Sequence, residues 1–110
     1  MQAFKLADLL TEQADAGKRY LEFLRVPSLS TGVYRLSAGD ADPQQPHGED
    51  EVYYVIAGRS RFAAGDETVD VAPGSVLFVE RGLEHRFTEI SEDLTVLVLF
   101  APAEGATSQP

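Results

Sequence analysis

At 110 residues, 44% of them hydrophobic and 25% charged, the chain has the composition of an ordinary globular domain and is long enough for one hydrophobic core but not two. Eighteen acidic against nine basic residues give a formal charge of -9, which repels phosphate backbones and anionic lipid surfaces, so neither nucleic acid nor a membrane is expected as a partner. There is no cysteine; that excludes disulfides, a thiolate nucleophile and thiolate metal ligands, and leaves nitrogen and oxygen to hold any metal.

Met1 to Leu10 carry neither the basic start nor the continuous apolar run of a secretory signal, and no later stretch approaches the ~20 apolar residues of a membrane span. The expectation is a cytoplasmic, single-domain protein. Leu6, Leu9, Leu10 and Gln13 stand at i, i+3, i+4 and i+7, with Gly17 available as a terminator, so a short amphipathic helix is expected over Leu6 to Ala16, as a lid or flank.

From Tyr20 to Pro102 the texture changes to short runs of Val, Leu, Phe and Tyr cut by Gly and Pro, which reads as all-β. Strands are expected over Tyr20 to Val26, Gly32 to Ser37, Glu51 to Ala57, Ser60 to Ala64, Glu67 to Val71, Ser75 to Val79, His85 to Glu89 and Leu94 to Phe100. Turn chemistry places chain reversals at Gly58, Gly65-Asp66, Pro73-Gly74 and Gly82, with Gly65-Asp66 the clearest hairpin. Val52 to Ile56 and Leu94 to Phe100 are apolar at consecutive positions, so both faces of these strands need cover. A second copy packing sheet on sheet is the simplest cover, and a homodimer is expected. The tail from Ala103 to Pro110 is small and polar and is expected to be loose.

The two histidines, His47 and His85, fall at strand edges beside glycine-bearing turns. Glu51 follows His47 by four residues and opens a strand that is otherwise almost wholly apolar. A carboxylate aimed into a barrel is costly unless a cation or hydrogen bonds compensate it. Two neutral imidazoles converging with that carboxylate suit a divalent cation.

The segment Gly39-x5-Gln45-x-His47-x3-Glu51-x6-Gly58 resembles the first conserved motif of the cupin superfamily, in which histidine normally stands at the position of Gln45. The segment Gly74-x5-Glu80-x-Gly82-x2-His85-x3-Glu89 resembles the second motif, where the family usually has proline at the place of Glu80 and asparagine at that of Glu89. The resemblance implies a small single-domain cupin of the cupin 2 type: an all-β double-stranded β-helix, or jelly-roll barrel, with a short N-terminal helix. It also implies His47, Glu51 and His85 as metal ligands, with Gln45 in the fourth ligand place through its amide oxygen. Similar Gln-His-Glu-His sets occur in the cupin-type phosphomannose isomerases, which hold zinc. The implied cofactor is one divalent transition metal; zinc, manganese and iron suit the donors, as do nickel and copper. A position left open on such an ion would take water or substrate.

By strand alternation Glu51, Tyr53 and Val55 share one face, as do His85 and Phe87, so Tyr53 and Phe87 are candidate walls of a substrate pocket beside the metal. Both also read as plain core aromatics. Glu51 and Tyr53, the latter through a phenolic proton, are the candidate catalytic residues. Tyr20, Glu22, Tyr34 and Arg35 lie in strands without a register anchor, and their facing stays open. Glu49 and Asp50 read as a solvated loop, and Arg59, Arg61, Arg81, Arg86, Glu80 and Glu89 as surface residues.

Two functions fit this pattern. One is a small metalloenzyme of isomerase, lyase or dioxygenase type acting on a small organic substrate, with Gln45 favouring Lewis-acid chemistry. The other is a non-catalytic module that binds a small carbohydrate or metabolite. No helix-turn-helix pattern accompanies the barrel, which argues against a transcription factor.

Overall fold

The apolar spacing of the first segment produces helix α1, Leu6–Ala16, in a computed structural model that describes residues 1–106. The helix stops where expected, on Gly17 in the left-handed region at φ 63°, with the Gly17 N–H donating to the Ala14 carbonyl at 3.1 Å. Leu9 and Gln13 form its buried face. The Gln13 amide donates to the carbonyls of Arg19 (2.8 Å) and Val33 (3.0 Å), which pins the helix across the first two strands.

Among the described residues six strands follow: β1 (Tyr20–Val26), β2 (Leu29–Leu36), β3 (Asp50–Ala64), β4 (Glu67–Val71), β5 (Val76–Val79) and β6 (His85–Ala101). They pair antiparallel in the order β1-β2-β6-β3-β4, and β5 pairs with the first half of β3. The architecture is the all-β double-stranded β-helix. Glu51 and Ala64 lie at opposite ends of β3, and Ala64 is the ladder partner of His85; nevertheless the His85 ring reaches Glu51 at 3.0 Å. Only a sheet curled back on itself brings the two ends of one strand to the same residue.

Two expected breaks are absent. The segments Glu51 to Ala57 and Ser60 to Ala64 form one strand, as do His85 to Glu89 and Leu94 to Phe100. Gly58 therefore bends the chain without reversing it. Its φ is 99°, and a Cβ there would stand 2.3 Å from the Asp93 carbonyl oxygen, so only glycine allows β3 and β6 to meet at the bend. The ladder slips between Val55 and Arg61, and Thr88 to Glu92 oppose Arg61 to Arg59, with Glu89 at φ 47°. These are β-bulges, which let one long strand serve two walls of the barrel. At Gly65-Asp66 the expected tight hairpin is present, joining paired Ala64 and Glu67.

Inward side chains alternate along the strands as the pleat requires. Tyr53, Val55 and Phe62 from β3 meet Phe87, Leu94, Val96 and Val98 from β6 in one buried cluster. Each such side chain contributes on the order of 1.5–3 kcal/mol by leaving water. The alternate, outward residues explain the continuous apolar runs: Tyr54 (44% exposed) pairs with Val76 (66%), and Val52 pairs with Phe78 (66%). Among the described residues nothing covers this outer face.

The start of the tail is not loose. Ala103 is buried, the Glu104 N–H donates to Ser30 Oγ at 2.8 Å, and Arg25 donates to the Glu104 carbonyl at 2.7 Å. The segment 103–106 is thus held against β1 and β2, while 107–110 lies outside the described residues. Among the described residues no helix is long and apolar enough to cross a membrane.

Candidate metal centre and its cavity

Three separate pieces of chain meet at one end of the barrel. His47 sits in the loop between β2 and β3, Glu51 near the start of β3, and His85 at the first position of β6. The His47 carbonyl accepts the Gly82 N–H at 2.7 Å, which fastens the His47 loop to the turn leading into β6. One ligand atom from each of His47, Glu51 and His85 lies within 4.8 Å of the other two.

The donor geometry fits a cation. His85 Nδ1 stands 2.7 Å from the Leu83 carbonyl; a carbonyl only accepts, so Nδ1 carries hydrogen and a neutral ring presents its lone pair at Nε2. That lone pair faces Glu51 Oε1 at 3.0 Å, with both side chains almost fully buried. Two acceptors face each other there, and neither Glu51 oxygen nor His85 Nε2 has a hydrogen-bond partner. An ion held by both residues would satisfy the two facing lone pairs at once. Without an ion a proton must fill the gap: burial opposes the imidazolium, but the Glu51 carboxylate and the Leu83 carbonyl outweigh it and raise the His85 pKa.

Beside the triad lies a cavity of about 150 Å³, lined by Tyr20, Tyr34, Pro43, Gln44, His47, Glu51, Tyr53, Val98, Phe100 and Glu104. Its polar wall is a hydrogen-bonded chain centred on buried Asp42. Tyr34 donates to Asp42 Oδ1 (2.6 Å), and Gln44 Nε2 and the Phe87 N–H donate to Oδ2 (2.6 and 2.9 Å). The Tyr53 hydroxyl donates to Gln44 Oε1 at 2.7 Å. Burial, reinforced by the Glu51 charge, raises the Tyr53 pKa, so this phenol holds its proton firmly.

Several expected positions shift. Gln45 is exposed and not among the residues lining the cavity; the amide that enters it belongs to the preceding residue, Gln44. Spacing to His47 selects Gln45, but the path of the loop brings its neighbour Gln44 onto Asp42 and Tyr53. Phe87 is not a cavity wall: it is buried in the core, packed on Tyr53 and Phe62 at ring-centroid distances of 5.2 and 4.8 Å. Tyr53 does line the cavity. Glu49 is buried, contrary to a solvated loop. Arg59, Arg61, Arg81 and Arg86 are exposed, each beside an acidic side chain. Glu80 and Glu89 are exposed as expected.

The open facings resolve by register. Tyr20 and Tyr34 are ladder partners and both line the cavity, whereas Glu22 and Arg35 are exposed. Asp42, Gln44 and Glu104 were not legible as site residues. The tail residue Glu104 places Oε2 3.9 Å from His47 Nδ1, and burial raises its pKa despite the opposing pull of His47.

The family model described as "Cupin domain" matches residues 32–101, a span that includes all three members of the triad. An uncharacterised protein of Streptomyces coelicolor is 50% identical over 105 residues, covering 96% of this chain and all of that one. Among solved structures, a Thermus thermophilus protein superposes with a TM-score of 0.72 at 26% identity, covering 94% of this chain and 99% of its own. The DMSP lyase DddQ from Ruegeria pomeroyi superposes with a TM-score of 0.67 at 25% identity, covering 80% of this chain and 49% of the lyase.

Proposed function

The chain belongs to the cupin family, and we propose that it is a small metalloprotein that holds one divalent transition metal with His47, Glu51 and His85 and works on a small organic molecule in the adjoining cavity. The observation that carries this reading is the buried, face-to-face pair of acceptors, His85 Nε2 and Glu51 Oε1, with no hydrogen-bond partner for either. A cation bound there supplies Lewis acidity toward a carbonyl or hydroxyl oxygen of the guest. The chain's own residues do the rest. Leu83 fixes the tautomer and direction of His85. Asp42 holds Gln44, which accepts the Tyr53 proton, so the Tyr53 oxygen is left to accept a hydrogen bond from a hydroxyl of the guest, and the Glu51 carboxylate lines the same cavity.

Two imidazoles and one carboxylate with open positions suit Lewis-acid work of isomerase or lyase type and equally a redox-active iron of dioxygenase type. The similarity to a lyase of the same fold supports the former. The uncovered outer face of Tyr54, Val76 and Phe78 supports a homodimer, with a second copy packed sheet on sheet.

The deciding experiment is elemental analysis of the purified protein after dialysis. The expected result is about one transition-metal ion per chain, lost in both His47→Ala and His85→Ala while the variants keep a β-rich circular dichroism spectrum. Full metal retention in either variant sinks the site. A turnover screen over hydroxycarbonyl compounds, with and without chelator, then separates an enzyme from a binding module.

A further inference from the structure

Three tyrosines line the cavity, and they differ in what their hydroxyls do. Tyr34 gives its proton to Asp42 and Tyr53 gives its proton to Gln44, both within 2.7 Å. The Tyr20 hydroxyl is shielded from solvent and has no hydrogen-bond partner. A buried hydroxyl without a partner costs free energy, and such groups are ordinarily satisfied by a guest or an ordered water.

The position of Tyr20 is built rather than incidental. Its ring lies over the backbone of Gly32, where any Cβ would stand 2.3 Å from the ring's Cζ and hydroxyl oxygen. Edge contacts from Tyr34 and Phe100, each at 6.3 Å between ring centroids, hold it from the sides. The missing side chain of Gly32 on β2 therefore makes the room in which the Tyr20 phenol lies, at the cavity lining.

The charges around that phenol restrict the guest. Glu51 and Glu104 both line the cavity, and among the described residues no lysine or arginine does. Arg25 is exposed and engaged by Glu22 Oε1 at 2.9 Å and by the Glu104 carbonyl. A divalent ion at the triad brings two positive charges, and the Glu51 and Glu104 carboxylates bring two negative ones, so nothing remains to compensate an anion.

We propose that Tyr20 is the donor that orients the ligand of this cavity, and that the ligand is a small uncharged molecule bearing hydroxyl or carbonyl oxygens rather than a carboxylate or phosphate. This deepens the reading of the cavity given above and rests on it. One oxygen of the guest meets the triad, and a second accepts the Tyr20 proton. The volume of about 150 Å³ suits a molecule of few carbon atoms.

The test is a pair of calorimetric titrations of the full chain loaded with zinc, using dihydroxyacetone as the neutral probe and glycerate as the anionic probe. Dihydroxyacetone is expected to bind at least about tenfold more tightly than glycerate. Tyr20→Phe, which keeps the ring over Gly32, is expected to weaken dihydroxyacetone about three- to tenfold with the zinc stoichiometry unchanged. Equal or tighter binding of glycerate, no binding of dihydroxyacetone, or an unaltered affinity in Tyr20→Phe overturns the proposal. If the wild-type protein takes up no zinc, the metal reading falls by itself, and the same titrations on the metal-free protein decide the role of Tyr20 by the same criteria.

Discussion

His85 Nε2 and Glu51 Oε1 face each other at 3.0 Å inside the barrel, although their strand positions lie at opposite ends of the β3 ladder. The pair is a cost as much as a contact, because both groups have left water and only an ion or a shared proton reconciles their facing lone pairs.

In the metal-free protein, His85→Ala leaves the Glu51 carboxylate buried and uncompensated, and is expected to lower stability by about 3–5 kcal/mol. The double variant Glu51→Leu with His85→Phe removes both polar groups together and is expected to be more stable than His85→Ala alone. Urea denaturation of the two variants checks the order; a double variant less stable than the single one contradicts it.

Asp42 accepts three hydrogen bonds, from Tyr34, Gln44 and the Phe87 backbone. Asp42→Ala strands two buried donors, Tyr34 and the Phe87 N–H, at about 1–3 kcal/mol each when unrelieved, and the half-buried Gln44 amide at less, so a loss of about 3 kcal/mol is expected. Asp42→Asn keeps the shape and one acceptor oxygen and is expected to cost less. Chemical denaturation reads both values, and equal losses count against the network.

Gly58 and Gly74 have similar positive φ, 99° and 93°, but different surroundings. A Cβ on Gly58 meets the Asp93 carbonyl at 2.3 Å, whereas one on Gly74 meets nothing within 4 Å. Gly74→Ala is expected to cost only the left-handed backbone strain, about 1–2 kcal/mol. Gly58→Ala adds a steric clash at the crossing of β3 and β6 and is expected to cost clearly more. Thermal melts of the two variants side by side give the comparison.

Burial raises the phenol pKa of Tyr20, Tyr34 and Tyr53, with further contributions from Glu104, the Asp42 hydrogen bond and Glu51 respectively. In the unfolded chain the same phenols ionise near pH ~10. A raised folded-state pKa means stability that is fully present below the unfolded value of ~10 and is lost as pH climbs from there through the raised folded value, since over that range the unfolded chain gives up protons that the native chain keeps. Absorbance of tyrosinate and circular dichroism, followed together in an alkaline titration, are expected to show these three phenols ionising only as the fold is lost. Their ionisation before unfolding contradicts the buried placement.

Much of the fold was legible because it depends on local chemistry. The helix from Leu6 to Ala16 follows from an apolar period and a glycine stop, and the hairpin at Gly65-Asp66 from turn residues. Gly58 misled because a glycine at a reversal and a glycine at a bulge look alike in one dimension. What distinguishes them is the Asp93 carbonyl, thirty-five residues away in the chain (93 − 58 = 35), pressed against the missing Cβ.

The sequence by itself determined the strand alternation that turns Glu51, Tyr53 and Val55 inward, and the residue types able to hold a metal, since the pleat and donor chemistry act within a few residues. Only the tertiary structure decided which glutamine enters the cavity, that Phe87 belongs to the core, and that Tyr20 and Glu104 complete the wall. Those outcomes depend on the register between strands and on the path of two loops and a tail, which are set by packing between distant segments and leave no periodic trace along the chain.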